Sequence, residues 1–166
     1  YNEVDYNRFN FIAIDNSIEF LKIVNNLNKS NIQTILSDMT ELPLSDDIGD
    51  FMIVIASYHH LDSNEKRIKC LKEIERVVKK NGYILLTVWA MEQPESKVKK
   101  VKNINFKEKD SLVPYYNRED GKYYYRYYRI YSEFDFNNEI NHTNLIIKKS
   151  YNENGNWVYW IENNKT

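Results

Sequence analysis

Asp50-Phe51-Met52-Ile53-Val54-Ile55-Ala56-Ser57-Tyr58-His59-His60-Leu61 is the stretch on which the fold turns. Residues 51–56 are apolar without a break, far too few to span a bilayer. A solid run of this kind, rather than an alternating one, fits a strand buried on both faces of a parallel sheet. Upstream, residues 9–14 read as a second buried strand ending at Asp15. Ser17 is then placed to N-cap a helix to about Leu27, with Ile18, Leu21, Ile23 and Val24 on its apolar face. Residues 32–36 form another short strand, stopping at Ser37-Asp38, and residues 41–47 an acidic, turn-rich loop.

Downstream, Asp62 or Ser63 caps a helix from Asn64 to about Lys80, with Ile68, Leu71, Ile74, Val77 and Val78 on one side. Asn81-Gly82 reads as its left-handed C-cap, and residues 83–88 as the next strand. The order strand–helix–strand–strand–helix–strand, with solidly apolar strands, predicts an α/β layered sheet. The helix after residue 61 supplies the crossover that parallel neighbours require. Beyond Trp89 the character changes. Residues 94–111 carry Lys97, Lys99, Lys100, Lys102, Lys107 and Lys109 and read as a lysine-rich mobile loop. Residues 123–131 read as an aromatic–basic strand, and residues 145–150 and 157–161 as a hairpin about Asn154-Gly155.

A chain of 166 residues is one domain by length. With 42% hydrophobic and 14% aromatic residues it is too rich in core formers for intrinsic disorder. One cysteine, Cys70, excludes a disulfide framework and a cysteine-based zinc site. The net charge of −1 leaves a nucleic-acid partner to charge distribution alone. No charged leader or apolar signal segment opens the sequence, so a cytosolic or nuclear soluble protein is expected.

Open α/β sheets bind ligands at the carboxyl ends of their strands. Asp15, Asp38 and Ser57-Tyr58-His59-His60 fall there. A carboxylate at a strand end can accept both hydroxyls of a ribose. Asp38-Met39 suits an adenine, the carboxylate taking amino protons and the thioether covering the ring. The plainer reading of a strand-end Asp is a turn residue. Adjacent histidines point to opposite faces of extended chain and make no metal site. One of the pair is expected to serve a neighbouring loop, the other to face the pocket.

Three blocks, Phe11-Ile-Ala-Ile-Asp15-Asn-Ser, Asp38-Met-Thr-Glu-Leu-Pro43 and residues 50–61, resemble motifs of the class I S-adenosylmethionine (SAM) methyltransferases. So do Arg67 and residues 71–82, like that family's helix and glycine turn before strand five. Val88-Trp89-Ala90-Met91-Glu92-Gln93, Leu112-Val-Pro114, Tyr125-Arg126-Tyr127-Tyr128 and Gly155-Asn156-Trp157 resemble one subgroup. That subgroup comprises the eukaryotic tRNA methyltransferases that esterify 5-carboxymethyluridine at the wobble position, including the domain fused to an AlkB-type dioxygenase. The resemblance covers residues 9–162.

It implies a Rossmann-like methyltransferase sheet with a C-terminal antiparallel hairpin, as a single domain over residues 1–166. The family opens with a strand and a glycine-rich loop; no Gly precedes Gly49, so the domain is expected to be N-terminally incomplete, its first strand absent. The resemblance further implies Asp15, Asn16, Asp38, Met39, Ala56 and Ser57 at the SAM site. His59, Arg126 and Tyr127 are expected as catalytic residues, and Trp89, Glu92, Gln93, Arg126, Tyr128, Asn156 and Trp157 as substrate or RNA contacts. A tRNA anticodon loop and a small zinc-ribbon activator protein are the implied partners, with no membrane. The nucleophile would be a carboxylate, ionised near neutral pH, so no general base is called for. Two alternatives stand beside this: methylation of another substrate, and a non-catalytic RNA- or partner-binding relative.

Overall fold

A computed structural model describes residues 8–95, 108–118 and 120–166. Most of the expected lysine-rich loop, residues 96–107, lies outside these. The chain divides into two compact units, residues 1–43 and 44–166.

In the first unit, β1 (Phe11–Asp15) and β2 (Ile32–Leu36) pair in parallel, in register from Phe11↔Ile32 to Asp15↔Leu36. The crossover is helix α1 (Ile18–Asn25). Ser17, in extended conformation, caps it by accepting from Phe20 N at 3.5 Å. Of the four apolar residues expected to face inward, only Leu21 is buried and Val24 half-buried, while Ile18 and Ile23 are exposed. Eight residues make little more than two turns, and the buried stripe is as narrow as an i, i+3 pair.

In the second unit, β3 (Gly49–Val54), β4 (Val78–Trp89), β7 (Leu145–Glu153) and β8 (Asn156–Asn163) form one sheet in the order β3-β4-β8-β7. β3 runs parallel to β4; the other pairs are antiparallel. Helices α2 (Asn64–Val77) and α3 (Asp135–Ile140) pack against each other. β5 (Asp110–Asn117) and β6 (Lys122–Arg129) form a separate antiparallel hairpin. β7 and β8 meet at Asn154 (φ 50°) and Gly155 (φ 77°), the positive-φ pair that a two-residue hairpin turn requires.

The core lies on one side of the four-stranded sheet. Ile84, Leu86 and Val88 of β4 stand beside Ile161, Tyr159 and Trp157 of β8 in register, and all are buried together with Leu71, Ile74 and Val77 of α2. Phe136 of α3 packs on Tyr159 at 4.4 Å between ring centroids. Each such side chain contributes roughly 1.5–3 kcal/mol on burial.

The expectation that residues 51–56 are buried on both faces is corrected here. Val54 is buried, but Phe51 and Ile53 are 45% and 57% exposed, and Ile55 is exposed as well. Phe51 lies on the face opposite the helices, 6.1 Å from the Trp160 ring. An unbroken apolar run marks a strand without saying which of its faces is covered.

The end of α2 also differs from expectation. The helix stops at Val77, Val78 is already extended, and β4 begins there instead of after Asn81-Gly82. The carbonyls of the last turn find tertiary partners: Asn163 Nδ2 donates to Glu75 O (2.7 Å) and Val78 O (2.8 Å), and Lys165 Nζ to Glu75 O and Arg76 O. Asn81 does take the left-handed conformation (φ 62°), but inside the strand. Gly82 is needed there for close approach, since a Cβ would lie 2.9 Å from both Asp50 O and Lys79 O.

Candidate active site

At the carboxyl end of β1, Asp15 Oδ1 accepts from Ser17 N at 2.7 Å. At the carboxyl end of β2, Asp38 Oδ1 accepts from Thr40 N at 2.7 Å. Both carboxylates therefore perform the turn role that strand-end Asp residues usually take. Asp15 keeps its second oxygen without a partner among the described residues, which leaves one acceptor for a diol. An open hollow in this unit is lined by Ser37, Asp38, Glu41, Leu42 and Pro43, and Asn16 is exposed beside Asp15 with Met39 half-buried next to Asp38. An open carboxylate oxygen, and a second carboxylate with an adjacent thioether, are groups that could hold a nucleoside.

In the second unit the chain leaves β3 through Ala56, held in the left-handed region at φ 54°. Left-handed backbone without glycine is uncommon and collects at functional turns. Ala56 N–H donates to Thr87 Oγ1 (3.1 Å) and Ser57 Oγ to Ile55 O (3.0 Å). A single 3₁₀ turn, Tyr58–His60, follows. It replaces the extended backbone expected for the two histidines, so their rings approach each other, 4.5 Å apart at 70°.

His59 is 1% exposed. Its Nδ1 accepts from Trp89 N–H at 3.3 Å, which assigns the ring proton to Nε2. Tyr128 stacks on Trp89 (4.2 Å, 27°) and on His59 (5.1 Å, 21°), with His60 edge-on at 4.3 Å. His59 is thus a buried support, and His60, half-buried, is the member of the pair nearer solvent, the reverse of a pocket-facing His59. His60 Nδ1–H donates to Tyr127 O at 2.9 Å, leaving Nε2 as an acceptor. Burial lowers the His60 pKa and the nearby Arg126 charge adds to this, against the raising effect of the Tyr127 carbonyl. The imidazole stays neutral at pH 7.

β6 brings Arg126 and Tyr127 to the same cluster. Arg126 is exposed, its guanidinium 5.7 Å from the Tyr115 ring centroid. The Tyr127 hydroxyl donates to Asp110 Oδ1, and burial together with that carboxylate pushes its pKa up to about 12. The Trp89 and Tyr128 rings and the Tyr127 carbonyl therefore meet the two histidines, with the Arg126 charge close to His60.

Glu92 and Gln93, just past β4, lie instead against the turn of the β7–β8 hairpin, where Asn156 and Trp157 open β8. Gln93 Nε2 donates to Ala90 O (2.5 Å) and Gly155 O (2.6 Å), and Trp157 is buried in the core. Asn156 Nδ2 reaches Glu153 O at 3.5 Å, and the Glu92 carbonyl accepts from Asn152 at 3.5 Å while its side chain is exposed. In place of the expected substrate contact, Gln93 and Trp157 hold the fold together.

Beneath the cluster lies a buried network that the sequence did not show. Glu139 accepts from Tyr58 OH (3.0 Å), Tyr131 OH (2.9 Å) and Arg67 Nε (2.6 Å), while Arg67 Nη1 donates to Leu61 O. It fixes the turn that carries the histidines. The acid sits on a six-residue helix, too short for a periodic signal.

Residues 3–86 match the family model described as a methyltransferase domain. The chain belongs to the methyltransferase-domain family. A tRNA (carboxymethyluridine(34)-5-O)-methyltransferase of Arabidopsis thaliana is 37% identical over 86 residues, covering 52% of this chain and 20% of that protein. A Xenopus tropicalis protein named for the same reaction is 24% identical over a match covering 78% of this chain and 29% of its own length. Among solved structures, a SAM-dependent methyltransferase from Methanosarcina mazei superposes with a TM-score of 0.69 over 91% of this chain and 80% of its own, at 15% identity. That likeness is one of fold. This methyltransferase domain spans about a fifth of the Arabidopsis relative.

Proposed function

We propose that this methyltransferase domain transfers the methyl group of SAM to the carboxylate of 5-carboxymethyluridine at the tRNA wobble position, giving the methyl ester and S-adenosylhomocysteine. The observation that carries this reading is the reach of the Xenopus match. At 78% of the chain it extends well past the domain match ending at residue 86, and relatives from plant, fission yeast and vertebrate carry the same reaction name.

Asp15, Asn16, Asp38 and Met39 are the residues to hold the nucleoside of SAM on the first unit. SAM supplies an electrophilic methyl group on a sulfonium. The chain's part is to bind, orient and exclude water. An ionised carboxylate needs no proton removed, and the cluster suits that: His60 is neutral and Tyr127 stays protonated near pH 7. Arg126 supplies a single cation to orient the carboxylate, and one cation blunts a nucleophile less than a basic cluster would. Trp89 and Tyr128 give an apolar wall that strengthens such contacts by excluding water.

The test is calorimetric titration of SAM into the full-length protein, followed by methyl transfer from labelled SAM to anticodon stem-loops. Stem-loops with 5-carboxymethyluridine and with plain uridine are compared, with and without a zinc-ribbon partner. Label on the modified stem-loop alone, as an alkali-labile ester, is expected. SAM binding without such transfer in any condition overturns the assignment of substrate.

A further inference from the structure

We infer that one face of the β5–β6 hairpin is a stacking strip for unpaired nucleotides of the RNA, built from Tyr115, Lys122, Tyr124 and Arg126. This rests on the proposed RNA substrate and assigns residues beyond it. The antiparallel register sets Asn117↔Lys122, Tyr115↔Tyr124, Val113↔Arg126 and Ser111↔Tyr128 on one face. Along β6 this face reads Lys122, Tyr124, Arg126, Tyr128, with cation and ring alternating from the turn of the hairpin towards the cluster. The last of these is the ring stacked on Trp89 and His59.

Three features suit single-stranded RNA. Tyr115 and Tyr124 are 52% and 48% exposed, so their rings are open to a ligand. Alternate residues on a strand stand roughly 6.6–6.8 Å apart, about twice the ~3.4 Å spacing of stacked bases, so a base can slot between successive rungs. Charge agrees as well. Lys122 and Arg126 have no carboxylate partner among the described residues. Of the hairpin's described acids, Asp110 holds Tyr127 and Arg129 on the other face, and Asp120 sits at the turn end of the strip, accepting from Lys122 N (3.0 Å) and Tyr124 OH (2.5 Å). The opposite face carries Leu112, Pro114, Tyr116, Tyr123 and Tyr125, and its one described cation, Arg129, is paired with Asp110. Among the described strand residues of the hairpin, the cations without a carboxylate partner thus lie on the first face, beside rings that stack on any base.

The test measures binding of an unmodified anticodon stem-loop to the full-length protein, without SAM, by fluorescence anisotropy at several salt concentrations. Tyr124→Ala is expected to weaken binding about 5- to 100-fold, as loss of a base–aromatic stack does. Tyr124→Phe, which keeps the ring, restores affinity to within about twofold. Lys122→Gln lowers the slope of log affinity against log salt by about one phosphate's worth, roughly 0.7, and Tyr125→Ala on the opposite face changes neither. The strip is overturned if wild type does not bind the stem-loop, if Tyr124→Ala binds like wild type, or if Tyr125→Ala weakens binding equally, which would mark a non-specific aromatic surface. Because the readout uses neither SAM nor carboxymethyluridine, a Tyr124-dependent affinity without methyl transfer upholds the strip and removes the proposed reaction. Transfer with no effect of Tyr124→Ala does the opposite.

Discussion

The Glu139 carboxylate lies 2.6 Å from Arg67 Nε, with both side chains less than a tenth exposed. The same carboxylate takes the hydroxyls of Tyr58 and Tyr131, and these, like the acid, are out of contact with water. Removing one partner of a buried pair strands the other. Glu139→Ala is therefore expected to destabilise the second unit by about 3–5 kcal/mol, read as a lowered urea midpoint. The exposed pair Lys22–Glu19, 2.8 Å apart, sets the contrast: Glu19→Gln should cost less than about 1 kcal/mol. Equal effects would show that the network contributes nothing beyond surface charge.

Burial, with the Arg126 charge adding to it, depresses His60, and the sign of the resulting pH dependence follows. The folded state favours neutral imidazole, and the unfolded state takes up a proton at the ordinary value of about 6.5. Stability is thus fully present above that value and falls as pH drops through it towards the lowered folded pKa. An NMR titration of the His60 ring should place its midpoint below 6.5 and show it rising in Arg126→Gln. A His60 midpoint unmoved by that substitution would contradict the proximity of the two side chains.

Gly155 and Gly121 give a matched pair. Both have positive φ, 77° and 70°. A Cβ on Gly155 would run into the Gln93 side chain, whereas at Gly121 the nearest atom, Tyr116 Oη, is 3.8 Å away. Gly121→Ala should cost about 1 kcal/mol for left-handed backbone alone, and Gly155→Ala about 1–3 kcal/mol more, as for overpacked sites. Thermal melts of both decide it. Adding Gln93→Ala to Gly155→Ala should return part of the difference, and no return would mean that the clash is relieved elsewhere.

Asp15→Asn separates a cofactor role from a turn role. The amide oxygen can still accept from Ser17 N, while the charge and one acceptor are lost. SAM affinity of the full-length protein is expected to fall about 10- to 100-fold, the range for a hydrogen bond to a charged group, with the melting temperature of the unliganded protein nearly unchanged. A melt that shifts with no change in SAM affinity would leave Asp15 as a turn residue alone.

Elements whose signals are local could be read from the sequence. β1, β2 and the Ser17 cap announced themselves through short apolar runs and one hydroxyl, and Asn154-Gly155 through its turn chemistry. Features that depend on distant partners could not. α2 ends where Asn163 and Lys165, more than 80 residues away, reach its carbonyls, and Asn81-Gly82 therefore looked like the stop. β5 was hidden because Pro114 and neighbouring polar residues blur its alternation, so Tyr115 was not seen opposite Tyr124. At the site, Trp89 and Tyr128 were expected as substrate contacts, and their stacking on each other and beside the histidines depends on a tertiary approach that no local pattern shows. Extended backbone was expected to send the two histidines to opposite faces, whereas a 3₁₀ turn brings their rings together with His59 the buried one.

Val77 closes α2 and Val78 opens β4 with no residue between them. Helix and strand thus form one mechanical member, its joint clamped by Asn163 and Lys165. From Tyr83, where its pairing becomes regular, β4 runs on to Trp89, roughly 20 Å at about 3.3 Å per residue. The left-handed Asn81 and the register shift against β3 lie between that joint and the regular run. They are where a tilt of α2 is taken up before it reaches the indole against which Tyr128 rests.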